Sequence, residues 1–496
     1  MEMRLFCGNC WAYTGPGCQK CPQCGREVPP HALRYPPGAA AWREPIQLAG
    51  HPVGQSGLLA PWVVTTWQKG LQGGGVSVLD TSGAEVARQT FVGIPKDGPL
   101  VGQLQIMQVV SGLLDGGGVW CWQCSPVGPQ MELAWKQDDH RIIPAKPNGG
   151  GVVFENRLYV PALDGSIYCL DLRNGEPVPG WPVKVSRGLR YLFVKEPFLV
   201  AVCRDSGQVY RLDLIRGQPD APLVTLDPGL ACKPVFWNNH LYLCSRDGRI
   251  VKAGIQKQTV SDFVQAAAGV NAQPVVKNGV MIAPGTDHRL YAWDENGQPV
   301  WQSDWRSEYP LTTSPAVAED VLAVGDHNGQ VVGVDPDTGG TIWTFQSGLA
   351  GAICRDPLYH DGIFYLGLDR KTDESGYLQA LPVCFGEYEY FANKAALRNQ
   401  AEIAGELYAA AAYFETQPEK RSQLAELAVR QWRGNGHAHL AAGFWENEVR
   451  LDRAAGCWQE AADNLRGRDN PQAAEFLQRA ARLYWRLGQT EQEAHC

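Results

Sequence analysis

In 496 residues no apolar run reaches the ~18 needed to cross a bilayer, so no membrane-spanning helix is expected. The first twenty-five residues have no basic start followed by an apolar stretch, so no export signal is expected there. Charge is sparse at 19%, with 44 basic against 52 acidic side chains. No segment carries the basic footprint of a nucleic-acid binder. The sequence has no Gly-x-Ser-x-Gly, no phosphate-cradling loop and no His-Glu-x-x-His, so three common routes to catalysis have no motif here. What is present excludes a long disordered chain: 44% hydrophobic and 10% aromatic residues. Fifteen cysteines without an export signal argue for a reducing, cytoplasmic setting, where thiols bind metal or fill cores.

Five of those cysteines crowd the amino terminus. Cys7-Gly8-Asn9-Cys10 and Cys21-Pro22-Gln23-Cys24-Gly25 form two CxxC pairs, each able to present two thiolates to one ion. Two such knuckles complete a tetrahedron of Zn(2+) ligands, and Gly8 and Gly25 permit the tight turns they need. The pattern resembles a zinc ribbon, with Cys7, Cys10, Cys21 and Cys24 as metal ligands and Cys18 spare. A closed four-thiolate site has no open position, so a structural or docking role is expected and catalysis is not. Pro29, Pro30, Pro36 and Pro37 then stiffen the path onward.

From about residue 55 to 384 the chain repeats every ~40 residues. Each unit reads as apolar strand, turn, second strand, Asp-Gly-like turn, third strand, then Asp-x-x-x-Gly and often Trp. Leu290-Tyr291-Ala292-Trp293-Asp294 leads to Gly297 and Trp301; Val331-Val332-Gly333-Val334-Asp335 leads to Gly339 and Trp343; Ile167-Tyr168-Cys169-Leu170-Asp171 leads to Gly175 and Trp181. Units begin near 57, 104, 149, 191, 232, 272, 313 and 354. Those near 191 and 232 lack the Trp. The eighth stops after its third strand, and the segment around Trp42 is expected to supply the fourth, closing the ring. The motif resembles the quinoprotein-like (PQQ-repeat) β-propeller, whose tryptophan-docking pattern A-x-D-x-x-x-G-x-x-x-W matches Gly333 to Trp343 and, one residue shorter, Ala292 to Trp301. The resemblance implies a mainly β fold with eight blades, seven being the alternative.

After Pro382 the composition turns to Ala-rich helix. Glu387 to Phe414 reads as one helix with Ile403, Leu407, Ala411 and Phe414 on a shared face. Pro418 opens a second, ended by Gly434-Asn435-Gly436; a third runs through Phe444, a fourth carries Cys457 and Trp458, and Pro471 opens the last. The pairs are similar to tetratricopeptide-type (TPR-like) repeats, which bind partner proteins. The expected domains are therefore 1–38, zinc ribbon and linker; 39–385, propeller; and 386–496, helical repeats.

Most candidate chemistry has a plainer reading. Cys121-Trp122-Gln123-Cys124 lies in a strand, away from the helix end that activates redox thiols, and reads as core. His437 and His439 cannot share a helical face. His288 and His327 occupy equivalent turns, and with Asp164, Asp205, Asp247, Asp287 and Asp326 collect on one propeller face, where Asp reads as turn chemistry. Loops between units project from the same side. They offer Arg187, Arg190, Tyr191, Trp305, Arg306 and Tyr309, residue types enriched at interface hot spots. The reading is a non-enzymatic scaffold or adaptor with protein partners and no nucleic-acid or membrane ligand. By architecture it resembles propeller components of bacterial multi-gene systems that pair with a MoxR-type AAA+ ATPase and a von Willebrand A-domain protein. The alternative is a propeller enzyme with a metal or quinone on the open face.

Overall fold

The computed structural model describes residues 6–7, 20–21, 25, 33–71, 73–104, 107–115, 118–124, 131–138, 143–349, 351–370 and 372–495. These divide into two compact units: the described residues up to Arg43 together with Pro382 onward, and Glu44–Leu381.

In Glu44–Leu381 the alternating apolar residues form eight antiparallel sheets, one per repeat. Blades 1 to 8 open with the inner strands Gly57–Leu59, Leu100–Leu104, Val152–Phe154, Leu189–Lys195, Val235–Trp237, Val275–Lys277, Ala316–Val317 and Leu358–His360. The core lies between sheets. Val109 and Cys121 of blade 2 pack with Leu158 and Val160 of blade 3. Ile282 and Ala292 of blade 6 pack with Leu322 and Val324 of blade 7. Strand Ile363–Asp369 of blade 8 lies against His51–Pro52 of blade 1, completing an eight-bladed β-propeller. Blade 4 has only three strands; beyond Asp213 single bridges at Pro219 and Val224 replace the fourth. Pro219 and Pro222 remove the donors a ladder there would need.

Ring closure uses the amino-terminal side as expected, but four residues later than Trp42. The closing strand is Ile46–Gln47, with Ile46 opposite Leu378 and Gln47 opposite Tyr377. Leu48 N–H donates to Gly376 O (2.9 Å), and Gly376 N–H to Gly50 O (3.1 Å). Trp42 is buried in a bend outside any strand and belongs to the other unit.

The repeat's Gly and Trp serve different seams. Trp135 of blade 2 covers Gly175 of blade 3, where an added Cβ would sit 2.5 Å from the ring, and its Nε1–H donates to Leu172 O (2.7 Å). Trp301 of blade 6 covers Gly339 of blade 7 in the same way, with Nε1–H donating to Pro336 O (3.1 Å). The turn glycines have φ of +74° and +77°, so they answer both backbone and close approach. Where blade 4 lacks the Trp, Arg211 reaches across instead, its Nη1–H donating to Ile255 O (3.1 Å) in blade 5.

In the other unit, the described residues from Tyr388 onward form seven helices. The expected single helix from Glu387 to Phe414 is two, Tyr388–Leu397 and Ala401–Phe414, broken where Asn399 takes φ +59°. Asn tolerates that conformation better than most residues. Thr490–His495 adds a helix beyond the expected stop at Gly488. The packing face also differs from the expected one: Ile403 is 49% exposed, while Ala404, Tyr408 and Ala412 are buried. Small residues win because the next helix approaches closely; a Cβ on Gly405 would meet Trp432 Nε1 at 2.3 Å. Within the same unit Tyr388 Oη brackets the backbone of Tyr35, accepting from its N–H (2.6 Å) and donating to its carbonyl (2.7 Å).

Candidate functional site

Second-to-third-strand turns and the connections leaving each fourth strand meet on one propeller face. Val185 N–H donates to Gly165 O (2.9 Å), Ala266 N–H to Gly248 O (3.0 Å), Ser307 N–H to His288 O (3.2 Å) and Ser347 N–H to Gly329 O (3.0 Å). The turn carboxylates are engaged locally. Asp164 accepts from Ser166 N–H and Oγ–H (both 2.9 Å). Buried Asp326 accepts from Asn328 N–H (2.8 Å), Gln330 N–H (3.0 Å) and Ser307 Oγ–H (2.6 Å). His288 pairs through Nδ1 with Ser307 O (3.1 Å) and pins its loop. These groups tie the turns and loops of the face together.

The six side chains expected to bind a partner fall in two places. Arg187 lies on the connection between blades 3 and 4, with Arg190 and Tyr191 in the inner strand of blade 4 itself; Trp305, Arg306 and Tyr309 join blades 6 and 7, three of eight blade steps away. Arg187, Arg306 and Tyr309 are exposed. Arg190 is committed to the seam, donating from Nη1 to Asn148 O (2.6 Å). Tyr191 packs into the apolar cluster between blades 4 and 5, and burial pushes its phenol pKa up. Trp305 packs against the cluster between blades 6 and 7. The face therefore presents Arg187 at one place and Arg306 with Tyr309 at another.

Of the expected zinc ligands, Cys10 and Cys24 lie outside the described residues, as does Cys18. Cys7 pairs through its backbone with Leu33, and Cys21 is buried with its carbonyl accepting from Gly25 N–H (2.9 Å), Gly25 having φ +68°. Cys121 and Cys124 project to opposite sides of their sheet, one toward blade 3 and one toward blade 1. They cannot act as a dithiol. Burial holds both thiols protonated, with pKa pushed up to about 11.

A further polar cluster, unmarked by any motif, sits where the ring closes. Asp369 is 5% exposed at the end of the second strand of blade 8. Its Oδ1 accepts from His51 Nδ1–H (2.8 Å), and its Oδ2 pairs with Arg355 Nη2. Both oxygens of the carboxylate are occupied. Arg355 Nε is buried without a partner. The three residues, with Gly54 and Gln68, line a cleft of about 390 Å³. The spacing in sequence, 318 residues from His51 to Asp369, left no local signal to find it by.

Residues 224–355 match the family model described as outer membrane protein assembly factor BamB. Two curated relatives carry that same name. One, from Nitrosomonas eutropha, is 31% identical over 119 residues, 23% of this chain and 27% of the relative. The other, from Salmonella typhimurium, is 29% identical over 135 residues, 27% of this chain and 32% of the relative. The chain thus spans about a third or less of the curated relatives it matches. Among solved structures, BamB from Moraxella catarrhalis aligns with a TM-score of 0.52 at 14% identity, covering 68% of this chain and 98% of that one. The computationally designed Ika8 protein aligns at 0.54 and 16%, and Saccharomyces cerevisiae Sqt1 at 0.51 and 13%, each across 68% of this chain and nearly all of its own. At such identities these structures speak for the fold alone. Residues 224–355 are thus similar to PQQ-type, BamB-like repeats and lie within an eight-bladed β-propeller.

Proposed function

We propose that this protein is a non-enzymatic interaction scaffold whose propeller face, on the side of the second-to-third turns, receives a partner protein. The observation that carries the reading is the layout of that face: turn carboxylates are tied to local backbone while Arg187, Arg306 and Tyr309 stand exposed on inter-blade loops. Arg and Tyr in such places are the residue types that concentrate binding energy. The partial likeness to proteins named assembly factors supports it. The TPR-like helical unit is the second surface, an AAA+ ATPase or a von Willebrand A-domain protein is the partner class, and the cytoplasm is the location; the thiols of Cys121, Cys124, Cys169 and Cys203, none in a disulfide, suit that compartment. Co-purification from the native host followed by mass spectrometry identifies the partner. An Arg187→Ala/Arg306→Ala variant should then bind it at least about thirtyfold more weakly, the ~2 kcal/mol of one true hot spot. Full-strength binding by that variant, with loss when Arg430 and Trp485 on the helices are replaced by Ala, would move recognition to the helical unit.

The amino-terminal module is proposed to hold one structural Zn(2+) through Cys7, Cys10, Cys21 and Cys24. The buried position of Cys21 and its turn to Gly25 support this set. Elemental analysis should give one zinc per chain, lost in Cys21→Ser and kept in Cys18→Ser. The reverse pattern would show that Cys18 is the ligand.

A further inference from the structure

The cluster at the ring seam has an inner, finished side and an outer, unfinished one. Asp369 is an acceptor only, so His51 must carry its proton on Nδ1 to bond with it. That leaves His51 Nε2 unspent, a second donor when the ring is an imidazolium. Arg355 spends only Nη2 on Asp369, and among the described residues Nη1 has no protein partner. His51 and Arg355 side chains keep 30% and 39% of their surface exposed, while Asp369 beneath them keeps 8%. Two side chains held by one buried carboxylate are thus pre-oriented toward a cleft large enough for a single side chain and its backbone.

We propose that this cleft binds a carboxylate, presented by an acidic side chain of a partner protein. Arg355 Nη1–H donates to one oxygen, and the His51 imidazolium donates from Nε2–H to the other. Charge selects the carboxylate over a phosphate. Arg355 is already balanced by Asp369, so the site gains one positive charge, on His51, and matches a monoanion. A dianion would face Asp369 and the nearby Asp97, whose Oδ1 would lie 2.6 Å from a Cβ on Gly54. A neutral amide would forgo bonds in which donor and acceptor are both charged; charge-assisted bonds are about twice as strong as neutral ones. The inference rests on the scaffold reading for the source of the carboxylate, while its test needs no partner.

The test uses the full chain with histidine labelled by ¹⁵N, titrated separately with N-acetylglutamate N-methylamide, whose only charge is its side-chain carboxylate, with the neutral N-acetylglutamine N-methylamide, and with inorganic phosphate. His51→Gln assigns the resonance. The acid should saturate and shift the His51 Nε2 resonance. The amide and phosphate should bind at least tenfold more weakly. Arg355→Gln should weaken binding of the acid about tenfold or more, the worth of one hydrogen bond to a charged group; Arg355→Lys guards against simple loss of the seam by keeping the charge at Asp369. An unmoved His51 resonance, an amide that binds as well as the acid, or a phosphate that binds better would each overturn the assignment. Failure here leaves the loop-face variants above unaffected, so the two readings fail separately.

Discussion

Replacing Trp135 with Ala should destabilise the propeller by about 3–5 kcal/mol, the range for emptying a buried Trp site. The residue is 8% exposed and fills the seam between blades 2 and 3, with its N–H on Leu172 O. Trp135→Phe should cost far less, since most apolar contact survives and one neutral hydrogen bond is worth about 0.5–1.5 kcal/mol. The more discriminating measurement is a double-mutant cycle with Gly175→Ala. Alone, that methyl is built 2.5 Å from the Trp135 ring at φ +74° and must push the ring out. In the Trp135→Ala background the space is already open, so the double variant should cost less than the two singles added, by at least about 0.5 kcal/mol in urea titrations. Strict additivity would show that the Trp and the Gly of neighbouring blades do not dock on each other.

The second large effect belongs to the closing strand. Leu48→Pro deletes the N–H that reaches Gly376 and empties a buried Leu site, the latter alone worth about 2–5 kcal/mol. Gly50→Val forces a Cβ to within 2.3 Å of Gln68 O. Together they should unzip Ile46–Gln47 from Tyr377–Pro382 and leave that strand with unpaired backbone groups. An open edge templates pairing with another chain. Size-exclusion chromatography with light scattering should show oligomers that the parent lacks, and early proteolysis within blade 8. A double variant that stays monomeric with the parent's urea midpoint would mean that the closure contributes nothing to stability.

The sequence carried the blades because each repeat obeys the same two local demands. Gly must stand where the third-to-fourth turn has positive φ, and a large apolar residue must cover the next blade's turn. Gly175, Gly297 and Gly339 were visible for that reason. Blade 4 was legible as a unit through Asp205-Ser206-Gly207, though Arg211 doing the work of a Trp was not, because nothing local distinguishes that Arg from a surface one. The helical unit was read less well. Ile403 looked like part of the buried face by hydrophobicity, yet helices that approach as closely as Gly405 and Trp432 select for small size, and Leu407 packs only at the cluster's margin. The break at Asn399 has a recognisable cause in hindsight, an Asn in the left-handed region, but without Gly or Pro beside it the Ala-rich run read through. His51, Arg355 and Asp369 were beyond reach altogether. They are ordinary residues far apart in the chain, and only ring closure brings them together.

That closure also fixes an order of events during synthesis. Gln47 and Ser375, bonded side chain to side chain at the seam, are separated by 328 residues. A ribosome adding about 5–20 residues per second takes roughly a quarter of a minute to a minute to cover that distance. Through that interval blade 1 is complete on its inner side while the segment destined for blade 8 waits with no partner strand. The first residues of the propeller to emerge are therefore among the last to be paired. Throughout that interval the nascent chain carries its closing segment, Ile46–Gln47, unpaired.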